Sequence, residues 1–270
     1  MVSWTDRAQR VALLALPILL LLVAWELVAR VGEVNAVLFS RPSAIGAAML
    51  KLLRADSPGG WPVLLVHALE SLARLGLALA IATPLGVVLG LLMGANRWVR
   101  GFFDPLLTVF MAIPGLAWAP LLLVWLGFGN TPIVVAGAMS AFFPVVYNTC
   151  TGVRSTDPAL IQAARSMGAR GLGLYLRVRL PAATPQVLTG FKLGFARAWR
   201  VIIAVEMIAA TTWGLGYMIF DAREFMQPAV IYGGILVMAL VFLAVERGVA
   251  GALSRATVAR WGMVHGPEGA

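Results

Sequence analysis

Apolar and polar positions in this chain segregate into long blocks. Six stretches are predominantly apolar over about the 20 residues that a membrane-crossing helix needs. They run Val11 to Ala29, Leu64 to Met93, Leu106 to Phe128, Pro132 to Thr149, Val187 to Ala210 and Val230 to Leu253. Val31 to Pro62 differs, because Arg41, Lys51, Arg54 and Asp56 interrupt it and Ser57-Pro58-Gly59-Gly60 is a turn cluster. Within it Ser43 is expected to cap a short helix whose Ile45, Met49, Leu52 and Leu53 fall at helical spacing. Such a helix lies along the periplasmic interface rather than crossing it. The pattern predicts an all-α, polytopic membrane protein with six transmembrane helices and a short periplasmic amphipathic helix. Pro114 and Pro120 in the third span and Pro144 in the fourth predict kinks whose freed carbonyls need other partners.

Composition agrees with the pattern. Of 270 residues 60% are hydrophobic and 12% charged, against a charged fraction of about 25% in soluble domains. The net charge of +9 is strewn between apolar blocks as lipid anchors and topology signals, not gathered into a nucleic-acid-binding patch. One cysteine, Cys150, excludes an intrachain disulfide and reads as a small apolar filler; with only His67 and His265, no metal site is expected. The first apolar run lacks a small-x-small cleavage site before Arg30 and is read as a retained helix.

Six spans place both termini on one side. Arg7, Arg10, Arg97, Arg100, the arginines of the loop between spans four and five, and Arg247, Arg255 and Arg260 mark that side as cytoplasmic. The expected organisation is a cytoplasmic N-terminus over 1–10, a membrane domain over 11–255 with a cytoplasmic loop at about 151–186, and a cytoplasmic tail over 256–270. The short segment from Asn96 to Arg100 is read as a loop with Trp98 as its anchor.

The loop between spans four and five is polar and roughly 35 residues long, more than a helix connection needs. Asp157-Pro158 starts a short helix, Asp157 capping and Pro158 in the first turn. Gly168 permits a turn out of it, and Leu172 to Leu180 offers a second helix before Pro181 stops it. Two small helices of this kind form a knob that can insert in a groove on another protein.

The run Gln162-Ala163-Ala164, three residues, Gly168, nine residues, then Val178-Arg179-Leu180-Pro181 resembles the Glu-Ala-Ala loop of binding-protein-dependent ABC importers. Gln162 stands for the usual glutamate and Val178 for isoleucine, so an ion pair made by the family's glutamate does not carry over to this chain, although a glutamine can still cap or donate a hydrogen bond. Ser71-Leu72-Ala73-Arg74, Asp104-Pro105, Ile113-Pro114, Gly214-Leu215-Gly216-Tyr217 and Asp221 to Phe225 resemble the nitrate/sulfonate/taurine branch. The resemblance implies a type I importer permease bundle of the bacterial inner membrane, not itself an enzyme, using alternating access for a small, anionic solute. It implies a cytoplasmic ABC ATPase dimer that binds ATP and magnesium, a second permease subunit as in a homodimer, and a periplasmic or lipid-anchored solute-binding protein. It also assigns ATPase coupling to Asp157, Gln162, Ala163, Ala164, Arg165, Met167, Gly168, Leu180 and Pro181.

The chain carries no catalytic signature of its own. Its only lysines, Lys51 and Lys192, sit in no phosphate-cradling loop, and no nucleophile elbow or zinc-protease pattern occurs. Candidates for the translocation pathway are Glu206, Arg200, Arg197, Pro114 and Ser140. Each carries a bland alternative. Glu206, read as deep in span five, can equally be a structural partner of Arg74, and the arginines can snorkel to the cytoplasmic surface. Gly86, Gly90 and Gly94 in span two, like Gly190 and Gly194 in span five, allow close helix approach within the bundle or at a dimer seam. Competing functions are an ion-coupled secondary transporter, which predicts midplane acid relays, and a non-transporting scaffold, which needs no such loop.

Overall fold

The structure, a computed structural model, describes residues 4–31 and 39–254, with side chains described over 16–31 and 39–248. The predicted tail over 256–270 and the first three residues lie outside that range. Eleven α-helices follow in the described residues: α1 (Trp4–Val31), α2 (Pro42–Arg54), α3 (Val63–Ala95), α4 (Arg97–Ala112), α5 (Ala119–Leu126), α6 (Asn130–Arg154), α7 (Pro158–Ser166), α8 (Gly171–Leu174), α9 (Leu180–Ala209), α10 (Leu215–Glu224) and α11 (Pro228–Ser254). The chain divides into two compact units, residues 1–67 with 218–238, and residues 68–217 with 239–270.

In the first unit, α1 and α2 are tied by Glu26. Its carboxylate accepts from the Ser43 amide (3.1 Å), the Ser43 hydroxyl (2.9 Å) and the Arg30 guanidinium (2.7 Å). Ser43 therefore lies inside α2 rather than capping it. The cap position belongs to Arg41, and Pro42, with its pre-set φ, opens the helix. Ile45 is buried and Met49 and Leu52 half-buried, while Leu53 faces out at 48% exposure, one position beyond the inner stripe. The predicted turn forms through Gly60 at φ +75°, and Asp56 and Pro62 bridge across it.

The second unit is built around α6. Two-thirds of its apolar window is buried (67%), against 28% for α3 and 11% for α11, which makes α6 the central helix. The glycine ladders settle where their close approach goes. A Cβ on Gly86, Gly90 or Gly94 would stand within 3 Å of Val145, Thr149 or Val153, so α3 lies against α6. A Cβ on Gly190 or Gly194 of α9 would likewise stand 3.0 and 2.9 Å from the Pro144 and Ala141 carbonyls of α6. Both faces are spent inside the bundle, in a membrane medium that offers no hydrophobic drive between helices and leaves packing to hold them. Cys150 fills a cluster with Met93, Leu107 and Val146.

By length and composition, three helices among the described residues are apolar enough to cross a membrane: Val63–Ala95, Asn130–Arg154 and Pro228–Gly248. The third predicted span, Leu106 to Phe128, is not one helix. The segments Arg97–Ala112 and Gly115–Leu126 meet at 91°, the geometry of a broken span or a re-entrant loop; as one broken span the pair makes a fourth crossing. The cause is Pro114, which forces Ile113 into an extended conformation (φ −83°, ψ 123°) and is followed by a 3-10 turn over Gly115–Trp118. The segment read as a loop is helix as well: Asn96 caps α4 by accepting from the Trp98 amide at 2.8 Å. α9 is long enough to cross, but it carries Lys192, Arg197, Arg200 and Glu206.

Candidate functional site

The knob after α6 begins as its sequence requires. The Asp157 carboxylate accepts from the Ala159 amide at 2.8 Å and Pro158 enters α7. At the other end Gly168 takes φ +88°, and the amides of Met167, Gly168 and Ala169 turn back onto the carbonyls of Ala163, Arg165 and Ala164. Ala164 is buried, whereas Gln162, Ala163, Arg165, Met167 and Gly168 are exposed. Leu160, Ala163 and Met167 are spaced i, i+3, i+7 and form an apolar stripe open to solvent, Met167 at 82% exposure.

The second helix of the knob departs from expectation. It does not stop at Pro181. α8 passes through a π-turn over Tyr175–Arg179 directly into α9. Proline has no amide to offer the carbonyl four residues back. Widening the turn absorbs that loss, and the Leu180 amide reaches the Tyr175 carbonyl instead. Arg179 stacks on the Tyr175 ring at 4.8 Å and donates to its hydroxyl at 2.9 Å. Leu180 and Pro181 are half-buried at this junction.

Four of the five pathway candidates converge. Pro114, Ser140, Arg197 and Arg200 line one cavity of about 400 Å³ together with Phe110, Trp118, Met139, Phe143 and Val201. The broken span supplies one wall and α9 another. Gly115 lies where any Cβ would meet the Ser140 Oγ at 2.5 Å. The aromatic members of this lining carried no pattern of their own in the sequence; Ile113-Pro114-Gly115 was the available signal.

Glu206 lies elsewhere. It is fully buried in the last turn of α9, about 5 Å of helix rise from its end, so the reading that set it deep in the span shifts towards one end. Its carboxylate accepts from Arg74 at 2.6 Å, from the Ser71 hydroxyl at 2.8 and 2.9 Å, and from the Gly216 amide at 3.0 Å. Ser71 in turn accepts from the Leu215 amide at 2.9 Å, and Arg74 donates to Asn130 at 2.8 Å. A buried ion pair thereby pins the tight Gly214-Leu215-Gly216 turn to α3 and α9. Glycine is required there: Gly214 holds φ +141°, and a Cβ on Gly216 would collide with the Ile203 carbonyl. Sequence reasoning named Arg74 as a partner but missed Ser71, Asn130 and the two amides.

A central helix flanked by glycine-packed neighbours, a sharply bent helix pair and a loop knob make up a helical membrane bundle. Residues 82–246 match the family described as binding-protein-dependent transport system inner membrane component, and the chain belongs to it. It is 35% identical over 230 residues to the taurine transport system permease protein TauC of Escherichia coli (strain K12), covering 84% of this chain and 82% of that one. It is 31% identical over 228 residues to SsuC of Bacillus subtilis (strain 168), assigned as an aliphatic sulfonates transport permease protein, covering 84% and 80%. The fold is similar to that in the inward-facing MetNI methionine ABC transporter, with a TM-score of 0.56 at 19% identity over 73% of this chain and 99% of that one.

Proposed function

We propose that this ABC importer permease subunit carries small organic sulfonates such as taurine, or kindred anions, across the bacterial inner membrane by alternating access. In this reading six helices cross the membrane, with α1 and α9 completing the count, α2 lies at the periplasmic face, and both termini are cytoplasmic. A second copy of the chain completes the pathway. An external solute-binding protein delivers the anion, and a cytoplasmic ATPase dimer binds ATP and magnesium.

The observation that carries the coupling role is the exposed stripe Leu160, Ala163 and Met167 on α7. Apolar side chains held in water on a capped helix are stabilised by burial in a groove, at about 1.5–3 kcal/mol for a Leu or Met side chain. Gln162, in the place of the family's glutamate, supplies an exposed polar contact without charge. The test is Met167→Glu in the complex purified with its ATPase. Association is expected to weaken tenfold or more and transport-linked ATP hydrolysis to fall with it, while the fold is unaffected because the side chain touches little else. Full association together with full stimulation would refute the coupling role. Uptake into proteoliposomes that required an ion gradient instead of ATP would support a secondary transporter.

A further inference from the structure

The cavity between the broken span and α9 holds two cationic side chains and no acidic one in its described lining. Arg197 and Arg200 are three positions apart on α9, so they share a face, and both are exposed. Among the described residues neither makes an ion pair; the four pairs present involve Arg30, Arg74 and Arg223. Beside them runs a ladder of stacked rings, Trp118 to Phe110 at 5.7 Å and Phe110 to Phe143 at 6.1 Å. The Ser140 hydroxyl, which also lines the cavity, is buried and has no hydrogen-bond partner.

We propose that this cavity is a binding station for a small organic oxyanion, the two guanidiniums holding its charged oxygens and the ring ladder covering its carbon tail. The proposal rests on the importer reading and assigns it a site and a ligand chemistry. Two neighbouring like charges without a counterion are mutually destabilising, and an arriving anion relieves both at once. Guanidinium donors are planar and forked, matching two oxygens of a sulfonate or carboxylate. A space of about 400 Å³ falls in the range of small-molecule sites. It corresponds to about a dozen water volumes, so a bare inorganic anion would leave the aromatic wall wet. An organic anion uses both halves of the lining. Exposure of the arginines keeps the grip weak, as a station on a pathway requires.

The test uses the full chain in lipid nanodiscs, with Cys150→Ser as background and Val201→Cys as reporter in the cavity lining. The new thiolate attacks sulfonatoethyl methanethiosulfonate, forming a mixed disulfide and releasing methanesulfinate; the trimethylammonioethyl reagent reacts in the same way with opposite charge. The anion-to-cation rate ratio is expected to fall at least tenfold in Arg197→Gln/Arg200→Gln and to be retained in Arg197→Lys/Arg200→Lys. Ethanesulfonate is expected to protect the thiol better than nitrate at equal concentration, and Phe110→Ala to erase that advantage. An unchanged ratio in the glutamine double variant, or equal protection by the two anions, overturns the station. Because labelling needs neither ATPase nor uptake, the two readings fail separately. Sulfonate import with an unchanged labelling ratio sinks the station alone. A ratio that falls in a complex importing no anion sinks the importer reading alone.

Discussion

Glu206 and Arg74 offer a quantitative test of what holds the bundle together. Their carboxylate and guanidinium meet at 2.6 Å with side-chain exposures of 0% and 6%, so neither charge can be rescued by water once its partner is gone. Removing one member of such a pair costs about 3–5 kcal/mol, most of it the penalty of the charge left behind. In Glu206→Gln the amide keeps one acceptor oxygen, which can serve Arg74 or the Gly216 amide but not both. Arg74→Gln leaves the carboxylate with only Ser71 and Gly216. Each single variant is expected to lose about 3 kcal/mol. The double variant Arg74→Gln/Glu206→Gln places two neutral amides face to face, able to bond one another, and is expected to lose about 3 kcal/mol rather than 6, a coupling energy of about 3 kcal/mol. Denaturant unfolding in detergent micelles, followed by helical circular dichroism, measures all four corners of the cycle. Losses below about 1 kcal/mol in the singles, or additive losses in the double, would refute the view that this pair fastens the Gly214–Gly216 turn.

Two further outcomes follow from the glycines. Gly90→Val places a side chain where a Cβ already lies 2.6 Å from Thr149 and 2.7 Å from the Val146 carbonyl, so the same unfolding measurement should show a loss of about 1–3 kcal/mol or more. Gly168→Ala meets nothing within 4 Å but must hold φ +88°. It should cost about 1–2 kcal/mol in the knob alone, lowering ATPase stimulation while global unfolding stays at the parent midpoint.

Block hydropathy placed the long helices well, because apolar runs and their charged flanks act at the scale of a whole helix. The capped start of α7 and the left-handed Gly168 were equally legible, since both depend on neighbours within a turn. The sequence predicts kinks at Pro114, Pro120 and Pro144 alike, and which proline becomes a break depends on packing. Pro114, Pro144 and Pro185 all lie within predicted or observed spans, yet only Pro114 stands at a 91° bend; α6 and α9 continue through theirs. Pro181 misled in the opposite direction, because a π-turn let the helix pass it. The Ser71–Arg74–Glu206–Gly216 cluster joins residues more than 130 positions apart, and no local pattern announces such a meeting. The cavity's rings gather from three segments for the same reason.

The passage of α8 through the π-turn into α9 has a mechanical consequence. α7 joins α8 through the turn at Gly168, but no hinge loop separates α8 from the wall that carries Arg197. The two are ends of one connecting rod, with about 26 Å of helix between Leu180 and Arg197. A tilt of about 10° imposed at the Leu180 end sweeps the far end sideways by about 4 Å, comparable to the width of a side chain. The widened turn at Tyr175–Arg179 then acts as a bearing. Under the proposed coupling role, its compliance would set how much of a push on the exposed stripe reaches the arginines and how much is lost on the way.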